Sequence, residues 1–179
     1  MAGPGFDLVL CDAEPEICHQ WRLAFRGERN VEIYCDDFFD MSADAYVSPA
    51  NSHGIMDGGF DLLLRHRFPG VDVAVQRKID ELGGLLRVGA AIVVETGDID
   101  VPYLVSAPTM ERPSVIAHTN HSFLAMRALL RAVRNFNRDY DAAIGSVAVP
   151  GLGTGVGKMP PGIAARQMRE GWDAFLSEL

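Results

Sequence analysis

Two glycine-rich loops, residues 48–61 (SPANSHGIMDGGFD) and 149–157 (VPGLGTGVG), each follow a short apolar strand pattern and each lead into a helical one. A chain that runs from strand through a glycine turn into helix more than once builds a sheet with helices on its faces. Glycine has no Cβ, so these turns can tighten and bring backbone N–H groups close to an anion. A helix N-terminus just beyond adds partial positive charge. One such loop says little. Two at strand ends point to a site that grips a molecule with two phosphates.

The rest of the chain alternates in the same way. Residues 6–11 (FDLVLC) read as a strand, and Pro15 opens a helix with Ile17, Trp21, Ala24 and Phe25 on one face. Residues 31–35 (VEIYC) and 44–47 (DAYV) read as strands, 60–68 and 71–82 as helices. Residues 90–96 (AAIVVET) and 102–107 (PYLVSA) are further strands about a Gly97-Asp98 turn. Between Ser122 and Asn137 two apolar stripes, Phe123/Met126/Leu130/Val133 and Ala125/Leu129/Ala132/Phe136, predict a helix pressed on a sheet. Residues 142–149 (AAIGSVAV) are almost all small or apolar and predict a central strand, and a last helix follows Pro160-Pro161 with Ala165, Met168, Trp172 and Phe175 inward. The order β-α-β-β-α-α-β-β-α-β-α predicts an α/β fold, a three-layer α/β/α sandwich with a mixed central sheet. Ligands of such sheets sit at the carboxyl ends of the strands, where both glycine loops lie.

Composition narrows the function. A length of 179 residues fits one domain over 1–179, and a net charge of −8 argues against bulk nucleic-acid binding, which needs a basic stripe. A nucleotide-sized anion stays open, because N–H groups can hold it. The three cysteines, Cys11, Cys18 and Cys35, include no C-x-x-C pair and read as buried thiols in a reducing cytoplasm, with Cys11 and Cys35 in strands. No signal-peptide layout and no membrane-spanning apolar run is expected. No H-E-x-x-H motif and no Cys/His cluster with zinc spacing occurs, so neither metal nor cofactor is expected.

The stretches Pro49-Ala50-Asn51-Ser52 and Gly151-Leu152-Gly153-Thr154-Gly155-Val156 resemble those of macro domains, the ADP-ribose-binding modules. The likeness runs over roughly residues 35–175, with Asp37 fourteen residues before Asn51, Asp61 ten after it, and Asp44 ahead of the strand into the first loop. The resemblance implies that Asp37, with Phe38 beside it, reads the adenine amino group, since a carboxylate only accepts. It implies that Asn51 meets the distal ribose. It further implies that Gly58 and Gly59 in the first loop, and Gly153, Thr154, Gly155 and Val156 in the second, clamp the diphosphate, with Ala50, Phe60, Pro150, Gly151 and Gly157 among the ligand-binding residues. Asn51 and Asp61 would be catalytic, with Asp61 orienting a water. From the residues alone, Asp37 also reads as a turn aspartate, Asn51 as a turn asparagine and Asp61 as a helix-start acid.

The chain departs from the family pattern in places. Met56 and Asp57 stand where glycines are common, Leu62 follows Asp61 in place of glycine, and Gly157-Lys158 replaces an aromatic after the valine. His53 could shape the loop or touch the ribose, and Arg112 and Lys158 could meet a phosphate. The function these residues imply is binding of ADP-ribose with hydrolysis at its distal ribose, the substrate being a mono-ADP-ribosylated molecule or O-acetyl-ADP-ribose. The alternatives are a non-catalytic ADP-ribose reader and an ADP-ribose 1″-phosphate phosphatase.

Overall fold

The computed structural model describes residues 3–179; residues 1 and 2 of the expected 1–179 span lie outside it. The elements come in the order the periodicities predict: β1 (Asp7–Cys11), α1 (Pro15–Ala24), β2 (Val31–Tyr34), β3 (Ala45–Ser48), α2 (Gly59–Arg67), α3 (Val71–Glu81), β4 (Ile92–Glu95), β5 (Tyr103–Ser106), α4 (His121–Asp139), β6 (Ser146–Val149) and α5 (Pro161–Leu176). One short 3-10 helix, Phe38–Asp40, is added between β2 and β3. The six strands lie in the order β2-β1-β6-β3-β5-β4. All neighbours are parallel except β4, which runs antiparallel to β5, so the sheet is mixed.

Strand alternation sorts the side chains into two layers. In β1, Leu8 and Leu10 join a core with Ile17, Cys18 and Trp21 of α1, the α4 stripes other than Phe123, and Ala165, Met168, Trp172 and Phe175 of α5. Val9 and Cys11 face the other way, toward Leu64 of α2 and Val71, Val75 and Ile79 of α3. Helices therefore cover both faces, α1, α4 and α5 on one and α2 and α3 on the other, giving the three-layer sandwich. β6 is central, buried between β1 and β3.

Two local expectations need correction. Residues 142–145 are not strand: Asp141 and Ala142 adopt left-handed φ of 53° and 56°, and the Asn137 amide brackets Ile144, donating to its carbonyl at 2.7 Å and accepting from its N–H at 2.8 Å. This side-chain clamp competes with sheet pairing and delays β6 until Ser146. Cys35 lies past the end of β2 and is exposed, because β2 is an edge strand whose pairing with β1 ends at Tyr34.

Candidate functional site

The carboxyl ends of β1, β3, β5 and β6 open onto a cleft of about 600 Å³. Both glycine loops line it, contributing Ala50, Asn51, Gly58, Gly59, Phe60 and Asp61 from the first, and Pro150, Gly151, Gly153, Thr154, Gly155, Val156 and Gly157 from the second. These are all but two of the residues expected at the site. Asp37 and Phe38 are not among its lining. Asp37 is exposed, and its carboxylate accepts from the Phe39 N–H at 2.9 Å, capping the short 3-10 helix. The Phe38 ring is buried among Phe39, Tyr46 and Phe60.

The second loop is glycine-rich for steric reasons that vary by position. A Cβ on Gly157 would come within 2.6 Å of the Gly153 carbonyl oxygen and of Ile116, so the absence of an aromatic here is dictated by the close pass of the 116 segment. That segment is tied down where the Ile116 N–H donates to the Gly157 carbonyl at 2.8 Å. Gly155 instead faces open space on the cleft side. In the first loop, Met56 is buried in the α2/α3 layer, so its side chain leaves the cleft, whereas exposed Asp57 lines it.

Asn51 is engaged within its own loop. Its Oδ1 accepts from the N–H groups of His53 (3.1 Å) and Ile55 (3.3 Å), and its Nδ2 donates to the Ile55 carbonyl at 2.8 Å. The amide thus holds the turn that delivers Ile55, Asp57 and the glycines to the cleft. His53 is absent from the lining, and its Nε2 is buried without a partner. Arg112 and Lys158 are exposed and also absent from the lining, although Met110 and Pro113 of the same connection as Arg112 contribute to it.

Asp61 sits in the first turn of α2, only 9 % exposed, at the cleft wall. Ser48, the last residue of β3, donates its hydroxyl to the Asp61 carboxylate at 2.5 Å. Burial pushes the Asp61 carboxyl up to about 6, and the Ser48 hydrogen bond opposes part of that rise. A carboxylate poised there is ionised at neutral pH and basic enough to take a proton from water.

The cleft has no lysine, arginine or histidine among its lining residues, yet it carries four carboxylates, Asp12, Glu14, Asp57 and Asp61. An anion held there meets no side-chain cation; the lining offers it backbone N–H groups, helix dipoles and neutral side-chain donors such as those of Thr154 and Asn51. Helix α2 suits this: its N-cap is Gly58, with no side-chain cap, so its first-turn N–H groups are free to face a ligand.

Asp12, Glu14 and Ile17 are lining residues that motif reading missed. Asp12 and Glu14 come from the β1–α1 turn and Ile17 from the first turn of α1; Asp12 accepts from the Glu14 N–H at 3.0 Å and from the Gly151 N–H at 3.1 Å, joining the N-terminal turn to the second loop. The available signal was positional: Asp12 is the first residue past a strand whose carboxyl end faces the cleft. Among the described residues no group of three or more His, Cys, Asp or Glu is arranged to hold a metal, and no helix is long and apolar enough to cross a membrane.

A family model described as Macro domain matches residues 47–168. A protein of Aquifex aeolicus is 31% identical over 141 residues, 79% of each chain. A Mycobacterium tuberculosis protein named DNA ADP-ribosyl glycohydrolase is 30% identical over 125 residues, 68% of this chain but 32% of the relative, so the match spans about a third of that enzyme. Among solved structures, the macrodomain of Mycobacterium tuberculosis DarG superposes with a TM-score of 0.64 at 25% identity, over 78% of this chain and 87% of that one.

Proposed function

The chain belongs to the Macro domain family, and from that premise we propose that it binds ADP-ribose in the cleft and hydrolyses a bond at the distal ribose. The reading is carried by one observation: Asp61, buried and hydrogen-bonded to Ser48, lies between two glycine loops in a cleft that offers an anion neutral donors and no side-chain cation. In this proposal the loops hold the diphosphate through backbone N–H groups and the dipole of α2. Asp61 takes a proton from the attacking water. Fixed N–H dipoles stabilise the charge that develops, with no metal needed. Asn51 acts by fixing the first loop, with its remaining N–H left for the ribose. The similarity to a DNA ADP-ribosyl glycohydrolase supports ADP-ribosylated DNA as the first substrate class to test, ahead of modified protein and O-acetyl-ADP-ribose. The acidic surface and cleft are compatible with this only if contact is confined to the modified nucleotide, since an unmodified duplex would be repelled. The proposal includes a single domain over the whole chain and a cytoplasmic location, which its unpaired cysteines suit.

Calorimetric titration with ADP-ribose, AMP and NAD, and release of ADP-ribose from modified DNA, test the reading. ADP-ribose should bind more tightly than AMP, and Asp61→Asn should abolish release while leaving affinity. No binding of ADP-ribose would overturn the site, and binding without turnover on any of the three substrates would leave a reader. The engagement of Asn51 by its own loop favours that second reading to the extent that a catalytic role needs the amide free. Asp37→Ala addresses the adenine contact. A charged hydrogen bond to the base predicts a loss of roughly 1.5–3 kcal/mol in affinity, whereas a pure capping role predicts a stability loss of about 1 kcal/mol and unchanged affinity.

A further inference from the structure

The cysteines lie outside the chemistry above, and strand alternation sorts them. In β2, Val31 and Ile33 pack against the layer that holds α1. Side chains alternate along an extended chain, so Cys35, two residues past Ile33, leaves β2 toward the same layer. Cys18 is in that layer, on α1 and fully buried. Its Sγ lies 3.1 and 3.2 Å from the carbonyl oxygens of Asp12 and Glu14, and 3.6 Å from that of Tyr34, the residue bonded to Cys35. The Cys35 thiol is the neighbour that, after burial, does most to raise the Cys18 thiol. Cys11 is on the opposite face of the sheet, its Sγ 3.5 Å from the Asp36 carbonyl. Of the three, Cys35 alone is exposed.

We propose that Cys18 and Cys35 are a dithiol that a hydroperoxide oxidises to an intrachain disulfide, joining the start of α1 to the end of β2 beside the cleft rim formed by Asp12 and Glu14. Cys35, the exposed residue of the pair, is the point of attack. Its thiolate displaces at the O–O bond, an S–O bond forms, and the peroxide leaves as alcohol or water. Burial, with the Cys35 thiol alongside, pushes the Cys18 thiol up to about 12, so Cys18 waits as the protonated partner. The Cys18 sulfur then attacks the sulfenic sulfur, the S–S bond forms, and hydroxide departs with the Cys18 proton as water. The two thiols together give up two electrons and the peroxide accepts them. This inference stands apart from the nucleotide reading and fails or survives independently of it.

The test is a peptide map of the folded, reduced protein after exposure to hydrogen peroxide, alkylation and non-reducing digestion at glutamates. Cleavage after Glu14 and Glu16 separates Cys11 from Cys18. The expected product is one linked pair of peptides holding Cys18 and Cys35, lower in mass by two hydrogens and reversed by dithiothreitol, with Cys11 recovered alkylated. Cys11→Ser should leave the link intact and the surface variant Cys35→Ser should abolish it. The proposal is overturned if Cys35 accumulates as sulfinic acid, links to a second molecule, or stays unreacted while Cys18 remains alkylatable.

Discussion

Replacing Asp61 by asparagine should stabilise the protein at neutral pH while removing its chemistry. Burial raises the Asp61 carboxyl from the ordinary 3.8 to about 6, so the folded form holds this proton more tightly than the unfolded chain does. Well below the lower value both states are protonated and the group is neutral to stability. As pH rises through the gap the unfolded chain ionises first, and stability falls. Above the higher value the deficit is complete and constant. At about 1.4 kcal/mol per pKa unit, a gap of close to two units is a deficit of about 3 kcal/mol. Asparagine keeps the shape and can still accept the Ser48 hydroxyl, but its new N–H₂ group needs partners of its own, so a gain of about 1–3 kcal/mol is expected. Urea unfolding of both proteins near pH 4 and near pH 7.5 measures this. The variant should be more stable at about pH 7.5, the two should converge toward about pH 4, and the wild-type slope between them should flatten in the variant. Equal slopes in the two proteins, or a variant less stable at neutral pH, would refute the account of Asp61 as a buried, strained acid. A stabilising substitution that destroys turnover is the pattern of a residue kept for function.

The second loop gives a sharper test of the cleft. Gly155→Glu has open space for its side chain, so unfolding stability should change by less than about 0.5 kcal/mol, yet it adds a fifth carboxylate to the cleft and should weaken ADP-ribose binding at least about tenfold by calorimetry. Gly54→Ala should destabilise by about 2 kcal/mol, because its φ is +65° and a Cβ would lie 2.5 Å from Ile79 Cδ1; Gly58→Ala, extended and with nothing near its Cβ position, is the benign control in thermal unfolding. Glu178 is gripped by Arg131, Arg127 and Arg134, with Arg131 foremost in lowering its carboxyl to about 2. Its contribution is therefore present above the ordinary carboxylate range and lost as pH falls toward 2. Solvent screening limits it, so Glu178→Gln should lower stability by about 1 kcal/mol at neutral pH, less in high salt, in denaturant titrations.

Residues 142–145 show where local reading fails. Small and apolar, they fit a buried strand, but Asn137 reaches back from α4 and holds Ile144 out of the sheet. Cys35 shows the same limit, since alternation assigns a side-chain direction but not whether another strand will cover it. The sheet's edges depend on which strands find partners, and that is a property of the whole chain.

The order of strands and helices was legible in the sequence because periods of two and 3.6 residues are short-range and each segment carries its own. So were the two loops, because glycine is needed wherever backbone passes close, as at Gly157 against the 116 segment. Tertiary structure alone decided what those loops enclose. It brought Asp12 and Glu14 from the first turn of the chain into the cleft beside Gly151, turned the Asn51 amide onto its own loop, and left Asp37 outside the lining. It also set the Ser48 hydroxyl against Asp61 and buried the pair, which shifts the acid toward neutrality. Burial is the sum of neighbours contributed by distant segments, so no local pattern could have supplied that shift.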